Sequence, residues 1–331
     1  MRLWCIVWQK YKFFLNNGKL LYQFIDFSRI FLKLFSFIIA VLSNIFYLCS
    51  LKKSYRMETK PIRIDVDSVI RQRLPRHYRY IPKWLIRWIE RTIHQDGLNK
   101  ILSDMGDKKG VDAADIALDD LNIKYQAVGE ENIPSEGRFI FASNHPLGGL
   151  DGMALISLIG HRYGGDNIKF IVNDLLMAVK PLDNVFLPIN KHGHQSRQSA
   201  QEIEEQYQSD RQMITFPAGL CSRKLKDGNI GDLEWKKFVV THAVSSQRDI
   251  IPVYFDGQNS KKFYRMARWR ERLGIKLNIE MVLLPGEMFK SSGSTYKVHF
   301  GKPVKWQSLD SRNARAEAAR LRDMVYELKE S

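Results

Sequence analysis

The chain has 331 residues, 44% of them hydrophobic and 26% charged, and a formal net charge of +15 at pH 7. This length leaves room for one large domain and an accessory segment, and the composition is that of a folded chain and excludes a disordered one. Only Cys5, Cys49 and Cys221 occur, which excludes a disulfide framework and points to a reducing compartment, while the surplus of cations implies an acidic partner such as nucleic acid, anionic lipid or an acidic carrier protein.

Residues 1–56 hold nine Lys/Arg and one acidic residue, Asp26. Within them LFSFIIAVLSNIFYLCSL, Leu34 to Leu51, is an apolar run of 18 residues, the lower limit for crossing a bilayer. Six basic residues precede it and no small-residue cleavage site follows, so a cleaved signal peptide fits poorly. Three readings of this segment stay open: a membrane anchor, a buried helix, or sequence outside the mature protein. The third arises because acidic residues return at Met57, in METKPIRIDVDSVIRQ.

Residues 57–122 read as helical. In IPKWLIRWIERTIHQDGLNKIL, Pro82 suits a first helical turn, and Trp84, Leu85, Trp88, Ile89 and Ile93 recur at helical spacing between Lys83, Arg87 and Arg91. Aromatic and basic residues on one helix suit a membrane interface; a core-facing helix with a solvated basic side has the same pattern. Gly110 separates a second helix, VDAADIALDDLNI, so the segment predicts a helical hairpin ahead of the main domain.

From residue 123 to 331 short apolar runs alternate with helical stretches. IKYQAVG, RFIFASN, IKFIVND, NVFLPIN, QMITFPAG, DIIPVYFDG, LNIEMVLLPG and YKVHFGKPV read as strands. The alternation predicts an α/β domain whose mixed, partly parallel sheet is flanked by helices, with working residues in loops at strand ends.

Three loops stand out. In SNHPLGGLDG a strand delivers His145, the pair Gly148 and Gly149 allows a tight return, and Asp151 follows to orient the imidazole as a base. In TFPAGLCSRK a strand runs into a Pro/Gly loop with a basic end, able to offer N–H groups and cations to an anion. In IIPVYFDG, Pro252 bends a buried strand. His192 and His194 lack a third metal ligand at suitable spacing, and Cys221 has no dedicated base beside it in sequence. The helix FYRMARWRERLGIK is strongly basic and suits a carrier protein, anionic lipid or water; no nucleic-acid-binding motif accompanies it.

The order of these loops resembles the glycerolipid acyltransferases of the lysophosphatidic acid acyltransferase type. The resemblance covers about Ile123 to Val304, and NVFLPINK is similar to the family's strand that ends in a basic residue, here Lys191. It implies His145 as general base and Asp151 as its partner, with an oxyanion held by N–H groups at Gly148, Gly149 or Gly219. It also implies a fatty acyl donor on acyl carrier protein or coenzyme A, no metal and no other cofactor. The helices of 57–122 would dock on an anionic membrane at the cytoplasmic face of the bacterial inner membrane, peripherally or with an N-terminal anchor.

Two departures mark the acceptor. Five residues separate His145 from Asp151 where the family usually has four, and the usual Phe-Pro-Glu-Gly-Thr-Arg is replaced by a loop with Ala218, then Leu220-Cys221-Ser222 before Arg223. The pattern is similar to a bacterial branch that acylates amino-acid lipids. The expected acceptor is therefore an N-(3-hydroxyacyl) amino acid or lysophosphatidic acid, its anion met by Lys191 and Arg223. The rival expectation is a silent membrane-binding protein of the same fold.

Overall fold

The computed structural model describes residues 63–330 except 74, 76–77, 174–175, 178, 190–196 and 276–277. Helices α1 (Val66–Arg73), α2 (Lys83–Thr92), α3 (Gln95–Met105) and α4 (Val111–Asp120) come first. There follow β1 (Lys124–Val128), β2 (Phe139–Ser143), α5 (Gly149–Tyr163), β3 (Ile168–Asn173), β4 (Phe186–Ile189), α6 (Arg197–Gln208) and β5 (Gln212–Thr215). The chain continues through a two-strand ribbon, β6 (Arg223–Lys224) and β7 (Ile230–Gly231), to α7 (Phe238–Ser246), β8 (Asp249–Asp256) and α8 (Lys261–Arg272). A 3-10 turn (Ile279–Leu283), α9 (Leu284–Lys290), β9 (Thr295–Phe300) and α10 (Ala314–Glu327) complete it.

The seven-stranded sheet has the order β1-β9-β8-β2-β5-β3-β4. Only the β8–β9 pairing is antiparallel, so the sheet is mostly parallel. β2 lies at its centre, with Ile140 opposite Met213 on one side and Ile250 on the other. Its side chains divide by strand alternation: Phe139 and Phe141 join the core under α4 and α5, while Ile140 and Ala142 join the core with α7 and α10. A strand covered on both faces has to be apolar throughout, and all five residues of β2 are buried.

One expectation changes. In LNIEMVLLPG, residues 279–286 form not a strand but the 3-10 turn running into α9. A short apolar run does not by itself separate a strand from a buried helix, and Pro285, which has no N–H for a ladder, is accommodated in the first turn of α9. The helices that precede the sheet pack onto it. Ile101, Met105, Val111, Ala114 and Leu118 of α3 and α4 share one core with α5. Among the described residues no helix is long and apolar enough to cross a membrane, and the run 34–51 lies outside them.

Arg248 ties α6 to the sheet. It is fully buried, and its guanidinium donates to the carbonyls of Tyr207 at 2.8 Å, Arg211 at 2.6 Å and Ser209. Burial pulls it down to about 10, still charged at neutral pH. Arg248→Met keeps the stem but strands those carbonyls, and should lower the unfolding free energy by about 3 kcal/mol or more in urea titration.

Candidate active site

Because β2, β5 and β8 run parallel, the loops at their carboxyl ends gather on one edge of the sheet. At the end of β2, Gly148 adopts φ +90°, and a Cβ there would lie 2.9 Å from Leu284 Cδ1. This glycine makes the turn between His145 and Asp151. Asp151 thereby falls in the first turn of α5, fully buried.

The Asp151 carboxylate is enclosed by donors. Oδ2 accepts from the N–H groups of Leu147 at 2.8 Å and Gly148 at 3.2 Å, and Oδ1 from that of Gly152 at 2.8 Å. Oδ2 also lies 3.0 Å from His145 Nδ1. With Nδ1 donating to Asp151, Nε2 is the nitrogen left to accept a proton. The imidazole stacks on Phe216, the residue after β5, with ring centroids 3.9 Å apart, and Phe216 packs edge-on against Phe170. The His145 side chain remains 15% exposed, enough for its edge to meet a substrate. Burial disfavours its charged form, but the Asp151 carboxylate, with a smaller contribution from Cys221, outweighs this and holds His145 well above its ordinary 6.5.

The other expected site residues are placed as follows. Of the oxyanion candidates, Gly148 N–H is committed to Asp151 and Gly219 N–H donates to Phe216 O at 2.9 Å. Gly149 opens α5, where helical N–H groups have no intrahelical acceptor. Arg223 is not a free cation at the loop end. It is buried, donates to the carbonyls of Cys221 and Ser222, and pairs at 2.8 Å with Glu280, whose other oxygen lies 2.9 Å from Arg270 Nε. Lys191, His192 and His194 lie outside the described residues. Cys221 is buried and close enough to His145 to act on its charge, a neighbour that sequence spacing does not reveal. The stacking of Phe216 is equally absent from any local pattern. Both residues lie in the FPAGLCSRK loop, which was legible as a loop but not as the wall of the histidine.

An imidazole oriented by a buried carboxylate on the open edge of an α/β sheet is equipment for removing a proton from an attacking group. The acyltransferase family model matches residues 68–331, and the chain belongs to that family; it is an enzyme that transfers acyl groups. It is 45% identical to the lyso-glycine lipid O-acyltransferase of Bacteroides thetaiotaomicron over 266 residues, 80% of this chain and 97% of that protein. Identity to the Phocaeicola vulgatus protein of the same name is 42% over 80% of this chain and 95% of that one. A crystal structure of the 1-acyl-sn-glycerophosphate (LPA) acyltransferase PlsC from Thermotoga maritima matches 66% of this chain and 81% of that one at 17% identity, with a TM-score of 0.38. That likeness is too slight to add to the fold described above.

The geometry predicts the pH dependence. A base must be neutral, so kcat/KM should fall as pH drops through the His145 titration, with its midpoint above 6.5. Asp151→Asn removes the charge that raises it and leaves burial, so the midpoint should move down while the plateau falls. His145→Ala should lower turnover by about 10²–10⁴-fold, and because it also removes the ring stacked on Phe216 and a partner of Asp151 it should lower the thermal midpoint by a few degrees without unfolding the chain. Stopped assays from pH 5 to 9 and thermal melts check all three.

Proposed function

We propose that this acyltransferase esterifies the free hydroxyl of a lyso-lipid, with an N-(3-hydroxyacyl) glycine as its preferred acceptor and a fatty acyl thioester of acyl carrier protein or coenzyme A as donor. The observation that carries the acceptor is the 45% and 42% identity to two lyso-glycine lipid O-acyltransferases over nearly their whole length. His145 Nε2 takes the hydroxyl proton as the oxygen attacks the thioester carbonyl. The C–O bond forms, the C–S bond breaks, and the proton passes from His145 to the departing thiolate. The N–H of Gly149 is the remaining oxyanion donor of the three glycines considered. Ala218, where the Phe-Pro-Glu-Gly-Thr-Arg pattern of lysophosphatidic acid acyltransferases has a glutamate, is buried in the core with α7 and α10 and brings no charge to the loop. Of the two cations considered for the acceptor's carboxylate, Arg223 is enclosed and Lys191 lies outside the described residues.

Work at the cytoplasmic face of the bacterial inner membrane belongs to the same proposal. Trp84 and Trp88 on α2, and Trp269 with Leu273 at the end of α8, are each more than half exposed. Both pairs are four residues apart, hence on one side of their helix, and exposed basic residues flank them: Lys83, Arg87 and Arg91, and Arg265, Arg268 and Arg272. Exposed tryptophan beside arginine and lysine suits the interfacial layer of an anionic bilayer. The 3-10 turn joins the two helices: Val282 packs into the cluster of α2, and its neighbours Met281 and Leu283 into that of α8.

Two measurements test this reading. With one acyl donor, kcat/KM on N-(3-hydroxyacyl) glycine should exceed that on lysophosphatidic acid by about tenfold or more. The reverse preference would remove the amino-acid lipid and leave an acyltransferase of another lyso-lipid. Trp84→Ala combined with Trp88→Ala should weaken flotation with phosphatidylglycerol vesicles about tenfold, as expected from ~1–2 kcal/mol of lost apolar burial. Binding that ignores both tryptophans and lipid charge would overturn the docking face.

A further inference from the structure

Consecutive residues at the end of β2 are each held by a distant part of the chain. Asn144 exchanges hydrogen bonds with the backbone of Phe255 in β8, at 3.0 and 2.6 Å, and the carbonyl of Pro146 accepts from Asn259 Nδ2 at 2.8 Å. Between them, His145 is gripped at both ends of its own backbone. Its N–H donates to Asp232 Oδ1 at 3.2 Å, and its carbonyl accepts from the N–H of Ser222 at 2.7 Å. The Ser222 hydroxyl closes the ring by donating to the same Asp232 oxygen at 2.6 Å. Asp232 is fixed in turn. Oδ2 accepts from Trp235 Nε1 at 2.9 Å, its N–H donates to the Tyr326 hydroxyl at 2.7 Å, and its carbonyl accepts from Arg322. Asp232, Ser222 and Trp235 are all buried.

We infer that Asp232, acting with Ser222, is a positioning residue that holds the backbone of His145 so that its imidazole meets the acceptor hydroxyl in reacting geometry. This rests on the reading of His145 as the general base. Each donor to the Asp232 carboxylate is neutral: a backbone N–H, a hydroxyl and an indole N–H. A buried carboxylate satisfied by neutral donors alone is an expensive way to tie a loop. What it provides is direction, since one oxygen fixes both the histidine's N–H and the serine that supports its carbonyl. Asp151 sets the ring from Nδ1, while Asp232 sets the backbone from which the ring projects. Small displacements of a catalytic group cost large factors in rate, which makes such support functional rather than decorative. Asp232 lies beyond β7 in GDLEWKKF, outside the three loops that stand out in the sequence.

The test compares Asp232→Ala, Asp232→Asn and His145→Ala in the full chain, assayed with the better of the two acceptors above and one acyl thioester. Asp232→Ala should lower kcat by about 10–100-fold while KM for both substrates stays within about twofold, because binding surfaces are untouched. Asp232→Asn keeps an oxygen for His145 N–H and Ser222, though its amide then faces Trp235, and should retain kcat within about fivefold of wild type. Wild-type kcat in Asp232→Ala, or a loss confined to KM, would overturn the proposal. So would a folded Asp232→Asn enzyme as inactive as His145→Ala, since charge and not the hydrogen-bonded grip would then be at work. This last comparison decides the matter even where Asp232→Ala does not fold. An active His145→Ala enzyme instead removes the base itself, an outcome distinct from an active Asp232→Ala beside an inactive His145→Ala.

Discussion

The parallel pairing of β2 between β5 and β8 is the constraint on which the site depends. Parallel neighbours place their carboxyl ends together, so the loops after Ser143, Thr215 and Asp256 meet although they are remote in sequence. The imidazole of His145 then receives Phe216 as a wall, and the Asn144 side chain reaches the backbone of Phe255. Had β5 paired antiparallel, its Pro/Gly loop would lie at the opposite edge and His145 would have only Asp151.

Buried charge is concentrated around that edge. Asp151, Asp232, Arg223 and Glu280 are all enclosed, and each is answered differently. Asp151 is met by backbone N–H groups at the start of α5 and by the imidazole, Asp232 by neutral donors, and Glu280 by two arginines. Removing one partner of such an arrangement leaves a desolvated charge behind, so each of these groups depends on its particular partners. The Glu280 arrangement also joins β6, α8 and the 3-10 turn, which connects the loop beside His145 to the basic helix on the surface.

That link gives the outer face of the molecule a physical relation to its site. α2 and α8 carry the exposed tryptophans, and both lean on the turn that contains Glu280. The proposed acceptor, with its acyl chain, would have to leave a bilayer or stay partly in it while its hydroxyl reacts. A surface with aromatic and basic residues, coupled through a short turn to the loop around His145, suits that proposal.

Much of this was determined within short stretches of chain. The alternation of apolar runs and helices defined the α/β class, and the runs of the central strands β2 and β8 were legible because strands buried on both faces have little room for polar residues. His145 and Asp151 were legible for a similar reason: they are six residues apart, and a glycine turn followed by a helix start settles their distance locally. LNIEMVLLPG was misjudged because an apolar run near a proline suits either a strand or a buried helical segment, and only the occupied neighbours of the sheet decide between them. Arg223 looked like a cation for a ligand, yet its destination depends on Glu280, 57 residues away. Asp232 meets His145 across 87 residues, and Phe216 reaches it only through the pairing of β5 with β2. Backbone preference and near neighbours act along the chain and leave their mark in the local sequence. Which distant side chains meet is decided by strand order, and that exists only once the sheet is assembled.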